Sequence, residues 1–310
     1  FGVMALAAQA LLAAGLTSAG FAACTGFRPM LRWSGEAFRA VAGFSGRLSL
    51  FNIVLYLSRN ADSAIIGRLL GAAALGVYSL AYRVMLFPVQ NLTHVAARAL
   101  FPLMSRSGRE EGAERYLKTV AFIAFITAPL MAGLFVLREP FVAVVFGERW
   151  RETATVLAWL APVGFIQSIV STTGTVFMAA GRSGLLLAMG CLATVLQVLA
   201  FAVGTRWGVE GVAACYLVAN VINAFPALVC GAHLLGLPPL RLLREIGRPL
   251  AAALAMAVVV VQLSAWVAGH GGDTLAVLLF SILGGIAAYA AAGLLMRSQV
   301  RQLRLFLGFR

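Results

Sequence analysis

Nine apolar segments, each near the ~20 residues that cross a bilayer as a helix, set the limits on what this chain can fold into. They run over 1–24, 48–70, 75–103, 117–137, 154–179, 184–205, 209–235, 248–269 and 274–296. None alternates polar and apolar with period two, so a helical bundle is predicted over a barrel. Inside hydrocarbon every backbone N–H and C=O must be paired, and a helix pairs its own. Hydrophobic residues make up 61% of the chain and charged ones 11%, where a soluble domain carries roughly 25%. The expected fold class is all-α, a polytopic membrane helical bundle.

The charges follow the segments. Arg28, Arg32, Arg39 and Arg47 precede the second segment, and Arg106, Arg109, Arg115 and Lys118 the fourth. Arg182 precedes the sixth, Arg241, Arg244 and Arg248 the eighth, and Arg297, Arg301, Arg304 and Arg310 follow the last. These sixteen lie in alternate connections, so they share one side, which the positive-inside rule assigns to the cytoplasm. The C-terminus is therefore expected there. The net charge of +13 is read as this bias, suited to anionic membrane lipids and not to nucleic acid. Cys24, Cys191, Cys215 and Cys230 lack CxxC spacing, and His94, His233 and His270 are far apart. No metal site, disulfide framework or cofactor is expected.

Several polar residues sit within the second and third segments. Ser79, Arg83, Phe87, Gln90, His94 and Arg98 follow one another at spacings of 4, 4, 3, 4 and 4, which stacks them on one helical face. Asn52, Tyr56, Arg59, Ser63 and Gly67 form a similar stripe, with Asp62 one turn from Arg59. Arginine at membrane depth costs about 3 kcal/mol on insertion scales, so it faces a bundle interior or a watery cavity. Two such stripes suggest a cavity for an anionic substrate, with Asn52, Tyr56, Arg59, Arg83, Gln90 and Asn91 as candidate binding residues. Arg83 offers a planar donor fork suited to pyrophosphate or a sugar carboxylate; the alternative is a structural pair with Asp62. Asp62, the one carboxylate well inside a span of this region, is the candidate for proton or Na⁺ coupling, unless it only pairs with Arg59 or Arg68. For Arg98 snorkelling is the plainer account, and for His94 hydrogen-bonded packing. The polar runs of the fifth span (Gln167, Ser168, Ser171, Thr172, Thr173, Thr175) and the seventh (Tyr216, Asn220, Asn223) read mainly as interhelical hydrogen bonding.

The segment 139–152 has too few consecutive apolar residues to span and is expected as an interfacial or re-entrant connection anchored by Trp150. Residues 34–44 could form a surface helix through Phe38, Val41 and Phe44, or an ordinary linker. The pattern from Phe1 to Ala8 (FGVMALAA) returns as WGVEGVAA at Trp207 to Ala214, 206 residues on. Internal repeats are a common plan for secondary transporters. The expected organisation is therefore 1–24 as the last helix of an N-terminal lobe whose upstream part is missing. A basic cytoplasmic connection at 25–47, a six-helix C-terminal lobe at 48–236, two additional spans at 248–296 and a basic tail at 297–310 follow.

A family resemblance rests on the run from Asn60 to Gly71 (NADSAIIGRLLG), followed by Leu75 to Arg83 (LGVYSLAYR). Phe87-Pro88-Val89-Gln90-Asn91, Leu100-Phe101-Pro102, Phe146-Gly147-Glu148-Arg149-Trp150 and Ala180-Gly181-Arg182 fit it in order. Together with the helix start at Trp207, these resemble the WzxC-like oligosaccharide flippases of the multidrug/oligosaccharidyl-lipid/polysaccharide exporter superfamily. The resemblance covers residues 1 to about 236. It implies two six-helix lobes that rock about a central cavity. It also implies transport of undecaprenyl-pyrophosphate-linked oligosaccharide units across the bacterial inner membrane, feeding O-antigen, capsule or exopolysaccharide assembly. Polysaccharide polymerase machinery would be a partner. Two alternatives are weighed. A multidrug antiporter of the same superfamily should favour acidic cavities, whereas this region holds more arginine than acid at depth. A polymerase or ligase enzyme should carry catalytic groups in a sizeable periplasmic loop, and the longest such connection here is about fifteen residues.

Overall fold

The computed structural model describes residues 2–25, 34–106 and 109–295. The expected tail at 297–310 and residues 26–33 of the expected connection at 25–47 lie outside the described residues, as do the side chains of Arg59, His94, Arg98, Phe38, Val41 and Phe44. Among the described residues there is no strand. The helices are α1 (Gly2–Thr25), α2 (Gly35–Leu69), α3 (Gly71–Arg106), α4 (Arg109–Val136), α5 (Arg138–Phe146), α6 (Glu152–Ala179), α7 (Ser183–Gly204), α8 (Gly208–Leu235), α9 (Pro239–Gly269) and α10 (Thr274–Leu295). Among the described residues six helical stretches are long and apolar enough to cross a membrane. Ser183–Leu235, which contains α7 and α8, counts as one of them, and the segments expected at 1–24 and 48–70 are not among the six. This is a multi-pass membrane protein. The segment considered as a surface helix at 34–44 forms the opening turns of α2. The second copy of the repeated pattern opens α8 at Gly208.

The chain divides into two compact units, residues 1–43 and 44–310. In the first, α1 leaves Leu11, Leu12, Leu16 and Phe21 largely exposed, as an apolar helix does where lipid or a partner helix replaces water. In the second, α3, α4, α6, α7 and α8 pack into a bundle onto which α9 and α10 dock. The central cluster joins Val77, Tyr78, Ala81, Met85 and Val89 of α3 to Val156, Leu157, Leu160 and Val163 of α6, and to Phe201, Val212 and Tyr216. A second cluster forms around Tyr116, Val120 and Ile123 of α4 and Ile169 and Val176 of α6.

Two local devices fix the layout. The α7–α8 hairpin depends on small residues: a Cβ on Gly204 would lie 2.6 Å from Val212 Cα, and one on Gly211 2.6 Å from Gly204 O. Gly208, at φ +71°, opens α8 in a conformation that L side chains rarely adopt. The last two helices are held by Ala128, Ala252, Ala253, Met256, Val260 and Leu278. Tyr289 adds to this contact, its hydroxyl donating to Phe125 O at 2.8 Å. At the other end of α4, Arg241 of α9 reaches Glu114 at 2.5 Å. Both partners are about half exposed, so this pair contributes about 0–1 kcal/mol.

The 139–152 segment does not span. It folds as α5 and a 3₁₀ turn at Glu148–Trp150. α5 buries Val142 and leaves Val145 53% exposed, as expected of a short helix lying along an interface.

Candidate functional site

The register of α3 decides where Arg83 points. Tyr78, Ala81, Met85 and Val89 recur at helical spacing and are buried, so the opposite side of the helix must face outward. That side carries Arg83, Phe87 and Asn91, all exposed, with Gln90 half-buried beside them. Phe87 is 72% exposed. Arg83 lies twelve residues past Gly71, about 18 Å along the axis, farther than its side chain can snorkel to that end. Among the described residues it has no ion-pair or hydrogen-bond partner, so its fork of donors is available. The Asn91 amide donates to Phe87 O at 2.9 Å, which holds its own carbonyl oxygen outward as an acceptor.

α2 is oriented in the same way. Phe51 lies flat on α7, where a Cβ on Gly190 would come within 2.6 Å of its ring. Asp62 is eleven residues later, three helical turns, and so shares that packed face; it is 5% exposed, and Ile66 one turn on is fully buried. Asn52 and Tyr56 lie on the other side, Tyr56 at 69% exposure. The structure thus gathers Arg83, Gln90 and Asn91 on one face of α3, and Asn52 with Tyr56 on one face of α2. Asp62 stands apart, turned into the bundle.

Asp62 makes no ion pair with Arg68 or Arg83 among the described residues. Its Oδ1 accepts from the Ser63 N–H at 2.5 Å and the Ser63 hydroxyl at 3.2 Å. It lies within electrostatic reach of Tyr78 and Tyr216. Around these residues is a buried polar cluster that the sequence reading did not assemble. Tyr78 stacks on Tyr82 at 6.0 Å between centroids, and Tyr82 approaches Tyr216 at 6.4 Å. The Gln167 amide donates to Tyr216 Oη at 2.7 Å and to Asn220 Oδ1 at 3.2 Å. The Asn220 amide donates to Tyr216 O at 2.8 Å. Tyr78 Oη is buried without a hydrogen-bond partner. Gln167, Ser168 and Thr172 of α6 and Tyr216 and Asn220 of α8 thus bond between helices, Ser168 to Thr127 and Thr172 to Tyr116 of α4. Ser171 and Thr173 instead bond to carbonyls of their own helix, and Asn223 Oδ1 is buried without a partner. The only signal for the cluster was the i,i+4 spacing of Tyr78 with Tyr82 and of Tyr216 with Asn220.

Among the described residues no group of three His, Cys, Asp or Glu could hold a metal. The exposed α2 and α3 faces offer a cation, amides, a phenol and an aromatic plane, a set for binding a polar anion.

Residues 1–155, half of the chain, match the family described as polysaccharide biosynthesis protein. The chain belongs to that family. Its relatives include the lipopolysaccharide biosynthesis protein WzxC of Escherichia coli, 30% identical over 64% of this chain and 41% of the relative. The teichuronic acid biosynthesis protein TuaB of Bacillus subtilis is 34% identical over 43% and 28%. The succinoglycan biosynthesis transport protein ExoT of Rhizobium meliloti is 28% identical over 84% and 53%. The chain spans about half the length, or less, of the curated relatives it matches. Among solved structures, the lipid II flippase MurJ in an inward closed conformation superposes with a TM-score of 0.69, over 87% of this chain and 57% of that one. At 14% identity this likeness establishes the fold alone: this family member is built on the MurJ-type helical bundle.

Proposed function

We propose that this protein is a transporter that flips undecaprenyl-pyrophosphate-linked oligosaccharide units across the bacterial inner membrane for polysaccharide assembly. The observation that carries the reading is Arg83: a deep arginine whose helix register turns it away from the bundle core, among Phe87, Gln90 and Asn91. An unpaired guanidinium at that depth is expensive unless it meets water or an anion, and pyrophosphate fits its fork. In this reading Asn52, Tyr56, Gln90 and Asn91 bind sugar hydroxyls, and Arg59 adds positive charge on α2. The second unit holds a six-helix C-terminal lobe at 48–236, with α9 and α10 additional. α1 is the last helix of the N-terminal lobe, and the C-terminus is cytoplasmic. The relatives named for transport and flipping favour a transporter over an enzyme, and polymerase machinery would receive the product.

Asp62 is the proposed coupling group. Its carboxylate is buried within the bundle with Ser63 as its donor, a setting in which proton or Na⁺ binding would change its charge.

Arg83→Ala and Arg83→Lys test the binding role in a polysaccharide-export complementation assay at matched membrane abundance. Loss of a bidentate contact worth about 1.5–3 kcal/mol predicts at least a tenfold fall for Arg83→Ala. Arg83→Lys keeps the charge and loses the fork, so partial recovery is expected. Full export by both variants would end the binding role.

A further inference from the structure

A cavity of about 600 Å³ opens where α4 ends, between α5, the end of α9 and the start of α10. It lies at the surface opposite the Arg241–Glu114 contact, since α4 begins near that contact and ends here. Its rim holds two cations and two anions, Arg138, Glu139, Glu148 and Arg151, while Val261 and Ala265 of α9 form an apolar wall. Arg138 is spent locally: it donates to Phe135 O at 2.6 Å, sits over the Phe135 ring and lies 3.8 Å from Glu139. Glu148 and Arg151 have no side-chain ion pair or hydrogen bond among the described residues. One free cation and one free anion therefore face a cavity of zero net charge. Trp266 of α9, 61% exposed, marks this level as the headgroup belt, where tryptophan concentrates. From the wall, Val261, Val258 and Leu254 continue along one exposed face of α9 toward the bilayer interior.

We propose that this cavity is a binding site for a zwitterionic phospholipid whose headgroup joins a phosphate to a primary ammonium. Arg151 takes the phosphate, Glu148 the ammonium, and the α9 row receives an acyl chain. A purely anionic headgroup would satisfy Arg151 and be repelled by Glu148. A quaternary ammonium would fit the charge but has no N–H to donate to Glu148. The site is distinct from the Arg83 face and stands whether or not that face binds the proposed substrate.

Native mass spectrometry of the purified protein tests it, with dioleoyl phosphatidylethanolamine, phosphatidylglycerol and phosphatidylcholine added at equal concentration. Phosphatidylethanolamine should be retained best, by about three- to fivefold for one exposed charge pair. Glu148→Gln should remove the preference for it over phosphatidylglycerol, and Arg151→Gln should weaken retention of all three. Ala265→Trp, which fills the cavity without altering charge, should abolish selective retention. Thermal unfolding in detergent establishes that each variant is folded, and the Glu148→Gln result stands alone if Ala265→Trp is not. Equal retention of the three lipids by the unaltered protein, or selectivity unchanged in Glu148→Gln, overturns the proposal.

Discussion

Arg83 and Asp62, charges on neighbouring helices, are turned opposite ways by the registers of α3 and α2. Arg83 is carried outward because Ala81 and Met85, two positions away on either side, are carried inward and fully buried. Asp62 is carried inward with Phe51 and Ile66, away from Tyr56. In the sequence both were charges at membrane depth, and a salt bridge between them was an open possibility. Spacing alone grouped Arg83 with Gln90 and Asn52 with Tyr56 on single faces, but not whether each face turns into the bundle or away from it, which the packing partners decide. Phe51 against Gly190 of α7 and Ile66 in the central cluster, both contacts with helices later in the chain, orient α2. The coupling role assigned to Asp62 predicts a specific phenotype. Asp62→Asn keeps the volume and the Ser63 contacts but cannot bind a proton or hold Na⁺ by charge. In proteoliposomes the variant should flip substrate downhill while losing all dependence on an imposed pH or Na⁺ gradient. Retained gradient dependence would make Asp62 a structural residue.

At the scale of elements, each expected span falls on a helix, but α2, α4 and α9 begin well before the segments expected at 48, 117 and 248. Their polar opening turns continue the helix outside the apolar run. α5 was legible as too short to cross. The docking of α9 and α10 was not legible, because their exposed and buried faces are equally aliphatic. Their attachment rests on small residues and on Tyr289, whose partner is the Phe125 carbonyl of α4. Tyr289→Phe should lower stability by about 1 kcal/mol, one net hydrogen bond, read as a lower Tm of the purified protein. The α7–α8 hairpin is less forgiving. Gly204→Ala places a methyl against the backbone of Val212, which no rotamer change relieves, and should destabilise by about 1–3 kcal/mol or more. Gly133→Ala is the control: nothing lies within 4 Å of the added Cβ, so the higher helix propensity of alanine should leave Tm unchanged or raised. Equal effects of the two would show that the hairpin contact is not the constraint.

For the whole molecule, one account links charge, register and family. The core clusters hold α3 with one face buried and Arg83 on the opposite face. On the proposed function that face meets an anionic lipid-linked substrate, and the basic connections lie in the cytoplasm. Its central claim is that the α2 and α3 faces line a water-filled path, not a lipid-facing surface. Cysteine accessibility in the protein reconstituted in liposomes tests this most directly, with the four native cysteines replaced. Tyr56→Cys, Arg83→Cys and Gln90→Cys would be compared with Leu279→Cys, an exposed aliphatic position on α10. The account predicts that a charged maleimide labels the first three and not Leu279→Cys, and that undecaprenyl-pyrophosphate-linked oligosaccharide slows labelling where undecaprenol does not. Labelling of Arg83→Cys no faster than Leu279→Cys would place that face against lipid and contradict the account.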